Sequence, residues 1–506
     1  MTSRDAPVVA TIHADPNRNW TMPHARPRRL SMLVLSAFLA LTSTRTPEAQ
    51  PAEAGGRPIL SPAVRRFVHI DTTVVALTHA RVIDGTGAAP RENQTLLIRD
   101  GRISAMGSDG RVPVPDGAQV LDLAGKTVIP GLVMVHEHLY YPTGPGVYAY
   151  LAESFPRLYL AGGVTAMRTG GNMNGYGELG VAKAIARGEK AGPWIDATAP
   201  YLQGPGLGLS QLHAVSTPDE ARRMVDSWAE AGATSFKAYM HISRATLGAA
   251  IEAAHARGLK VTGHLCSVTY AEAARLGIDN LEHGFFSATD FVTDKKPDEC
   301  PQTDIVALTA ALDTARPALR ALIAELVRRN VAVTSTLTIF ETFVPGRPMP
   351  RGLDVLVPAL REQYERQHSA LAGRQVPFSG VYPAMGAAEL AFARAGGLLL
   401  VGTDPTGSGG VVPGYANQRA LELLVEAGFT PLEAISIGTL NGAKYLGRAG
   451  EIGSIAIGKQ ADLVVVGGDP SVRIEDVRNV ELVFKQGVGF DPQKLIDSVR
   501  GRVGLF

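Results

Sequence analysis

The sequence predicts an α/β protein built around a (β/α)₈ TIM-type barrel, with a small β-sandwich domain made from both ends of the chain. Two observations predict the barrel. Eight β-like apolar runs alternate with helical stretches rich in Ala, Glu and Arg, and no glycine-rich phosphate-binding fingerprint favours an open doubly wound sheet. A third observation predicts the small domain, because short apolar runs broken by Asp-Gly turns occur near the start and a matching β pattern returns near the end.

These patterns divide the chain into four parts. Residues 1–50 are predicted to be a leader, 66–130 together with 447–490 the small β-sandwich domain, 131–446 the barrel and 491–506 a C-terminal tail. The 506 residues, 45% of them hydrophobic, are enough for a large core or two domains. A formal charge of +1, from 49 basic and 48 acidic residues, gives no sign of a nucleic-acid partner. We therefore expect a small-molecule substrate, and the sequence leaves a homo-oligomer open.

The N-terminal part has the order of a bacterial-type secretory signal. Arg26, Arg28 and Arg29 precede an apolar run, Met32 to Leu41, and a Thr/Pro/Ala-rich tract follows it. The run is too short to span a bilayer and no Cys follows it, so we expect a periplasmic or secreted protein without a stable membrane anchor. The alternative is a disordered basic leader on a cytosolic protein.

The barrel strands are predicted from apolar runs followed by polar residues. They are Gly131–Val135, Val164–Arg168, Trp194–Ala199, Ser235–Tyr239, Lys260–Gly263, Asn280–Glu282, Val331–Thr334 and Leu398–Gly402. Helical stretches separate several of them, at Thr217–Gly232, Arg244–Gly258, Val268–Gly277 and Leu319–Asn330. In such a barrel the carboxyl ends of the strands form the active face.

Six candidate metal ligands lie at or just beyond the predicted strands. They are His136, His138, Lys237, His264, His283 and Asp404. Side chains two apart on a strand point the same way, so His136 and His138 can reach one cation. His and carboxylate ligands with an open coordination position are typical of catalytic zinc. His-x-His alone is weak evidence, and the candidates on the other strands strengthen it.

Several motifs occur in a specific order along the chain. They are Pro130-Gly-Leu-Val-Met-Val-His-Glu-His138, Gly163-Val-Thr-Ala-Met-Arg168, Gly232-Ala-Thr-Ser-Phe-Lys237, His264, Glu282-His283-Gly284, Gly402-Thr-Asp404 and Gly458-Lys-Gln-Ala-Asp-Leu463. From about Val74 to Gly487 this order resembles the amidohydrolase superfamily, in particular its secreted branch near imidazolonepropionases and metal-dependent prolidases. The resemblance implies a metal-dependent hydrolase.

The resemblance also implies a role for each ligand. His136, His138 and Asp404 would hold the more buried metal, while His264 and His283 suit a second metal or a mononuclear site completed by His264. A buried, neutral Lys237 can react with CO₂, and the resemblance implies that this carboxylated lysine bridges two zinc ions. The alternative for this residue is a barrel lysine paired with a carboxylate.

Asp404 is expected to bind metal and to take the proton from the metal-bound water as it attacks the carbonyl. Tyr239 and His213 are weaker candidates for substrate contacts, against a packed tyrosine and an exposed loop histidine. Glu137 alternates away from its two histidine neighbours, so a supporting role is expected.

Two residues depart from the family pattern, and two cysteines need a separate prediction. Relatives usually have Asp where this chain has Met134. Peptidase-like relatives often carry His or Tyr where Cys266 stands, which weakens the transfer of prolidase specificity. We predict that Cys266 and Cys300 are separate thiols, because the sequence does not show that their side chains meet.

The leading hypothesis is a hydrolase that uses metal-bound hydroxide to cleave an amide bond in a dipeptide, an N-acyl amino acid or a related small molecule. Two divalent metals, zinc first among them, are favoured over one. A mononuclear cyclic amidase or deaminase of imidazolonepropionase type is the alternative. A lactonase, an esterase or a non-catalytic binding protein is less favoured.

Overall fold

The computed structural model describes residues 57–505, apart from 145, 208–210, 303–307, 310–311, 375 and 377. The predicted leader, residues 1–50, lies outside this range, so its signal stays a prediction. The described chain is a mixed α/β structure. None of its helices combines the length and the apolar character that crossing a membrane requires.

The strands fall into a group with mostly antiparallel neighbours and a group with parallel neighbours. In chain order they are β1 (Val68–Ile70), β2 (Val74–Val82), β3 (Arg91–Arg99), β4 (Arg102–Ser108), β5 (Gln119–Asp122), β6 (Lys126–Pro130), β7 (Leu132–Glu137), β8 (Tyr140–Gly144), β9 (Val147–Tyr150), β10 (Val164–Thr169), β11 (Trp194–Asp196), β12 (Leu202–Gln203), β13 (Ser235–Met240), β14 (Lys260–Leu265), β15 (Asn280–Glu282), β16 (Ala332–Ser335), β17 (Leu399–Val401), β18 (Leu463–Gly467), β19 (Val480–Lys485) and β20 (Val488–Phe490).

The helices mostly follow the parallel strands. They are α1 (Pro62–Arg65), α2 (Ser154–Ala161), α3 (Tyr176–Ala186), α4 (Pro218–Ala231), α5 (Arg244–His255), α6 (Tyr270–Leu276), α7 (Pro317–Arg328), α8 (Leu337–Glu341), α9 (Pro358–Leu371), α10 (Phe378–Arg394), α11 (Tyr415–Glu426), α12 (Pro431–Ser436), α13 (Gly442–Tyr445) and α14 (Pro492–Asp497). Short 3₁₀ turns span Thr289–Phe291, Leu353–Val355 and Ile474–Arg478, and a π-helical turn spans Ile437–Asn441.

All eight strands predicted for the barrel are present, within a few residues of their predicted ends. Together with the short strand β12, which was not predicted, they form two parallel sheets, ordered β11-β10-β7 and β12-β13-β14-β15-β16-β17. A parallel bridge between Thr198 and Ser235 links the region after β11 to β13. The backbone N–H of Thr403, just past β17, donates to the carbonyl of His136 in β7 at 3.1 Å. The carboxyl ends of these strands therefore lie side by side.

The predicted helices α4, α5 and α6 form because local capping signals agree with their apolar pattern. Thr217 caps α4 in a reciprocal box with Glu220, and α4 ends at Gly232, whose φ of 103° suits glycine. Thr269 and Glu272 form the same box at the start of α6. Caps of this kind satisfy the first free N–H groups, so the helices begin where the sequence places Thr or Ser.

A second sheet brings the two ends of the described chain together. Its order is β1-β20-β19-β18-β6-β2-β3-β4, with β5 beside β2. Strand β18 pairs antiparallel with β6, so a late strand joins an early one. This sheet has a hydrophobic core of its own, whose buried residues include Leu77, Ile98, Val128, Leu463 and Phe484.

Three features depart from the sequence prediction or go beyond it. Cys266 and Cys300 are joined in a disulfide with Cα atoms 4.9 Å apart, so the prediction of separate thiols is wrong. The fold brings two residues 34 positions apart to one point, which spacing alone does not reveal. A hairpin, β8 and β9, follows β7. In the predicted C-terminal tail, α14 packs with Leu495 buried.

Candidate metal centre

Four candidate ligands meet at the carboxyl ends of the parallel strands. Asp404 Oδ1 lies 3.1 Å from His138 Nε2 and 3.8 Å from His136 Nε2, and Asp404 Oδ2 lies 3.7 Å from His283 Nδ1. Ligand atoms of His136, His283 and Asp404 all lie within 4.8 Å of one another, and these residues are buried. The two histidines from β7 thus point into one space, as strand alternation requires.

Two of these residues have an unusual backbone. His283 has a φ of 66° and Asp404 a φ of 54°, the left-handed region that residues with a Cβ rarely adopt. Each follows the end of its strand, β15 or β17, so the turn swings its side chain toward the centre. Conformations of this kind are retained where the surroundings enforce them, and they cluster at functional sites.

A buried ion-pair network lies beneath the cluster. Glu282 Oε2 is 2.7 Å from His136 Nδ1, and Glu282 Oε1 accepts from Arg168 Nη1 at 3.1 Å. Arg168 is fully buried and also donates to the hydroxyl groups of Thr262 and Ser235. Although burial alone would raise it, electrostatic interactions and hydrogen bonding with the Lys237, His136 and Arg168 side chains hold the pKa of Glu282 well below its usual range. Glu282 therefore stays a carboxylate.

Lys237 reaches the same carboxylate from β13. Its Nζ lies 3.5 Å from Glu282 Oε1, at the outer limit of a hydrogen bond, and is buried from solvent. Burial is the main reason that its pKa falls to about 8, and the nearby charge of Arg168 adds to the effect. The contact matches the alternative of a lysine paired with a carboxylate. The lowered pKa makes a neutral amine accessible near neutral pH.

His264 and Tyr239 line the open side of the cluster. The His264 ring lies 4.4 Å from that of His283 and 5.0 Å from that of Tyr239, centroid to centroid, and both residues are half-buried. Burial and the charge of Lys237 lower the pKa of His264 to about 3, so it is neutral and able to bind a metal. Tyr140 Oη contacts Tyr201 Oη at 2.7 Å and continues the same wall.

Glu137 supports the loop that carries Asp404. Its carboxyl group accepts hydrogen bonds from the backbone N–H and the hydroxyl of Thr403 and, at 2.9 Å, from Asn417 Nδ2. Burial raises the pKa of Glu137 to about 8. The side chain thus points away from the cluster, as expected, and holds the residue next to Asp404.

His213 lies apart from this group. It is exposed in the loop after β12, and the described residues show no contact between it and the candidate ligands. The structure therefore brings together six of the predicted residues and Tyr239, but not His213.

Comparisons with known proteins agree with this arrangement. Residues 366–494 match the profile of the amidohydrolase family. A provisionally named prolidase from Bifidobacterium longum superposes on 84% of this chain and 98% of its own, with a TM-score of 0.61 and 27% identity. Residues 366–494 thus carry the amidohydrolase family profile, and the likeness to this prolidase extends over most of the chain.

Other proteins similar to this chain differ in their named activities. A Xaa-Pro dipeptidase (20% identity, TM-score 0.62, 83% of this chain and 100% of that one) and bottromycin amidohydrolase (21%, 0.66, 89% and 95%) share its fold. Adenine deaminase 3 of Rhizobium meliloti is 36% identical over 75 residues. That match spans 15% of this chain and only 13% of the curated relative.

Three residues that shape this centre had no role predicted from the sequence. Glu282 contacts His136, Thr336 Oγ1 lies 2.8 Å from His283 Nδ1, and Arg168 contacts Glu282. Glu282 and Arg168 lay inside recognised motifs. A charged residue within an otherwise apolar, buried strand was the signal that could have identified them.

The donor set of this centre fits a divalent metal. Neutral imidazoles and one carboxylate converge from strand ends, and the half-buried His264 leaves an open side. Burial lowers the pKa of His138. Burial opposes the lowering of the Asp404 pKa, but the hydrogen bond to His138 and the electrostatic effects of the surrounding histidines together keep it below its usual value. Neutral histidines and an ionised aspartate are the forms that bind metal.

Proposed function

We propose that this protein is a metal-dependent hydrolase that cleaves a carbon-nitrogen amide bond in a small molecule. The observation that carries the proposal is the convergence of His136, His138, His283 and Asp404 around one point at the strand ends. These four side chains are buried and come from β7 and from just beyond the ends of β15 and β17. Without a bound cation, the Asp404 carboxylate would lie buried among neutral imidazole rings with no opposite charge beside it, which costs free energy.

We propose two metal positions, with zinc as the first candidate. His136, His138 and Asp404 would hold one ion, while His264 and His283 would hold the other. A carboxylated Lys237 would supply further anionic oxygen ligands, and the buried amine with its lowered pKa supports this assignment. When bound, the metal lowers the pKa of a coordinated water and polarises the substrate carbonyl.

The chain itself handles the proton and the orientation of the groups. Asp404 Oδ1 and Oδ2 lie next to three imidazoles, so the carboxylate can accept a proton from the attacking water and pass it to the leaving amine. Glu282 accepts from His136 Nδ1, which directs Nε2 toward the centre. Tyr239, on the open side, can donate to a substrate oxygen, because burial raises the pKa of its hydroxyl and keeps it protonated.

For the substrate we propose a dipeptide, an N-acyl amino acid or a related amide with an apolar side group and at most one carboxylate. The aromatic wall of Tyr140, Tyr201 and Tyr239 is large and apolar and offers a few hydroxyl donors. The prolidase and dipeptidase names of structural neighbours support this class.

A mononuclear deaminase or cyclic amidase is the second candidate. Two observations favour it. The three-residue cluster of His136, His283 and Asp404 is compact enough for one ion, and a short segment resembles an adenine deaminase. Metal stoichiometry separates the two proposals.

The test is metal analysis of the purified protein, followed by kcat/KM for dipeptides, N-acyl amino acids, cyclic amides, adenine, lactones and phosphotriesters. We expect two metals per chain. We also expect that a chelator abolishes amide hydrolysis and that Zn²⁺ restores it. His136→Asn and His138→Asn should lose metal and activity together, whereas Glu362→Gln on the exposed face of α9 should lose neither. Full activity of either histidine variant would refute the site, and lactones or phosphotriesters exceeding every amide tenfold would refute the amidase.

We also propose the architecture that this function uses. The eight strands β7, β10, β11 and β13 to β17 would close into a (β/α)₈ barrel, supported by the Thr198–Ser235 bridge and by the hydrogen bond from Thr403 N–H to the His136 carbonyl. The nine-stranded sheet would fold over its own core as the β-sandwich. A structure determined by crystallography tests both.

Finally, we propose that the protein is exported to the periplasm or the medium. The arginines and the apolar run of the leader motivate this, and the Cys266–Cys300 disulfide supports it, because disulfides persist in oxidising compartments. N-terminal sequencing of protein from the native host tests it. An intact leader on cytosolic protein would contradict it.

A further inference from the structure

A second cavity lies beside the candidate metal centre and contains none of its ligands. Its volume is about 190 Å³, room for several heavy atoms rather than one water. Its walls come from α8, the loop between α8 and α9, helix α9 and the segment from Gly410 into α11. One wall residue, Thr338, donates to the carbonyl of Thr403 at 2.8 Å. The cavity is thus separate from the metal centre but shares a wall with it.

The floor of the cavity is apolar. Val411, Val412 and Ala416 are buried there, and the buried Tyr364 adds an aromatic surface. Met349 at the rim is 43% exposed, an unusual position for a large apolar side chain. A floor of this composition binds hydrocarbon and excludes a strongly hydrated ion.

The rim of the cavity carries four arginines, and the neighbouring carboxylates pair with all but one of them. Three of the four lining arginines have carboxylate partners. Arg347 and Arg419 both lie 2.7 Å from Glu341 Oε1, Arg347 and Arg419 also contact Glu426, and Arg419 and Arg478 contact Glu422.

Arg351 is the exception. Within the described chain its guanidinium donates to Gln418 Oε1 at 3.2 Å and stacks 5.5 Å from the Tyr415 ring centroid, with no ion pair to a carboxylate. The negative charge of Glu422 favours the charged form of Arg351 through space. The Glu422 carboxylate itself, however, accepts hydrogen bonds from Arg419 and Arg478. Arg351 therefore keeps free donors at the cavity mouth.

We propose that this cavity binds a small amphiphilic carboxylate, with its apolar tail on the Val411–Val412 floor and its carboxylate on Arg351. A guanidinium suits this partner because its planar donors match the two oxygens of a carboxylate. Charge complementarity selects an anion, and the apolar floor selects one with a hydrocarbon tail. The site is independent of the hydrolytic activity proposed above.

The test is calorimetric titration of the purified, metal-loaded protein with octanoate, and with octanamide as the uncharged probe of equal length. We expect saturable octanoate binding, with octanamide at least about tenfold weaker. Arg351→Gln should weaken octanoate binding at least about tenfold, the scale of a charge-assisted hydrogen bond. Arg351→Lys should recover part of it. Arg366→Gln, an exposed arginine of α9, is the matched control and should bind as the wild type does.

A second variant tests the cavity rather than the charge. Ala416→Leu places a larger side chain in the wall and should weaken binding of both probes, with circular dichroism and metal content unchanged. If octanoate does not bind, the proposal fails. It also fails if the Arg351→Gln and Ala416→Leu proteins both bind octanoate as tightly as the wild type, because the anion would then occupy the metal centre.

Discussion

Glu282 and His136 form a buried pair in which Glu282 Oε2 lies 2.7 Å from His136 Nδ1. Because Glu282 is ionised, it accepts a hydrogen bond from Nδ1–H of His136 and directs Nε2 of the ring toward Asp404 Oδ1, 3.8 Å away. The carboxylate from β15 thus selects the tautomer of a ligand from β7. This relationship orients the ligand before any metal binds.

The first prediction concerns this pair. Glu282→Gln keeps the shape of the side chain but removes the charge that orients His136, so metal affinity should fall about 10- to 100-fold. Competition with a chelator measures this affinity, and circular dichroism checks the fold, since the buried Arg168 loses its counter-ion. Thr336→Val, which removes a neutral contact to His283, should cost less. A folded Glu282→Gln protein with wild-type metal affinity would contradict the role.

Asp404→Asn should separate metal binding from turnover. The amide keeps one oxygen donor near His138 but cannot accept a proton, so kcat should fall by at least ~10² while much of the metal remains. Metal analysis and steady-state kinetics on the same preparation measure both. A near-normal kcat would remove Asp404 from the proton transfer.

Lys237→Ala tests the carboxylated lysine. If the lysine supplies bridging oxygens, the variant should lose metal and turnover, and short carboxylic acids such as formate or acetate should restore part of both. Lys183→Ala, on the outer helix α3, is the control and should behave as the wild type does with and without added acid. An active Lys237→Ala protein with one metal would favour the mononuclear alternative.

Glu389 makes stability depend on pH. It is 1% exposed in α10, and burial raises its pKa to about 8 against the opposing effect of a hydrogen bond with Ser335. In the unfolded chain it loses its proton near pH 4.5, so between this pH and about 8 the folded state holds more protons. The free energy of unfolding should therefore fall as pH rises through this window, by on the order of a few kcal/mol.

Glu389→Gln removes this titration. Its free energy of unfolding in urea should decline less between pH 5.5 and 8.5 than that of the wild type, whereas Glu362→Gln, at an exposed position, should leave the decline unchanged. Parallel slopes for the wild type and Glu389→Gln would show that the folded protein does not hold Glu389 protonated.

The sequence alone determined the parts of this protein that depend on local patterns. Apolar runs with polar ends predicted all eight parallel strands, and the helical stretches Thr217–Gly232 and Val268–Gly277 predicted α4 and α6 to within a few residues. Alternation along β7 predicted that His136 and His138 point together and that Glu137 points away. These are periodicities of two or 3.6 residues, which any reader of the chain can count.

Only the tertiary structure decided which distant residues meet. It joined Cys266 to Cys300, placed Glu282 between His136, Arg168 and Lys237, and left His213 exposed. Among the described residues, Arg351 forms no ion pair with a carboxylate, whereas the other three arginines that line the same cavity do. Such outcomes depend on how strands and loops far apart in sequence pack against each other, and no local period records that packing.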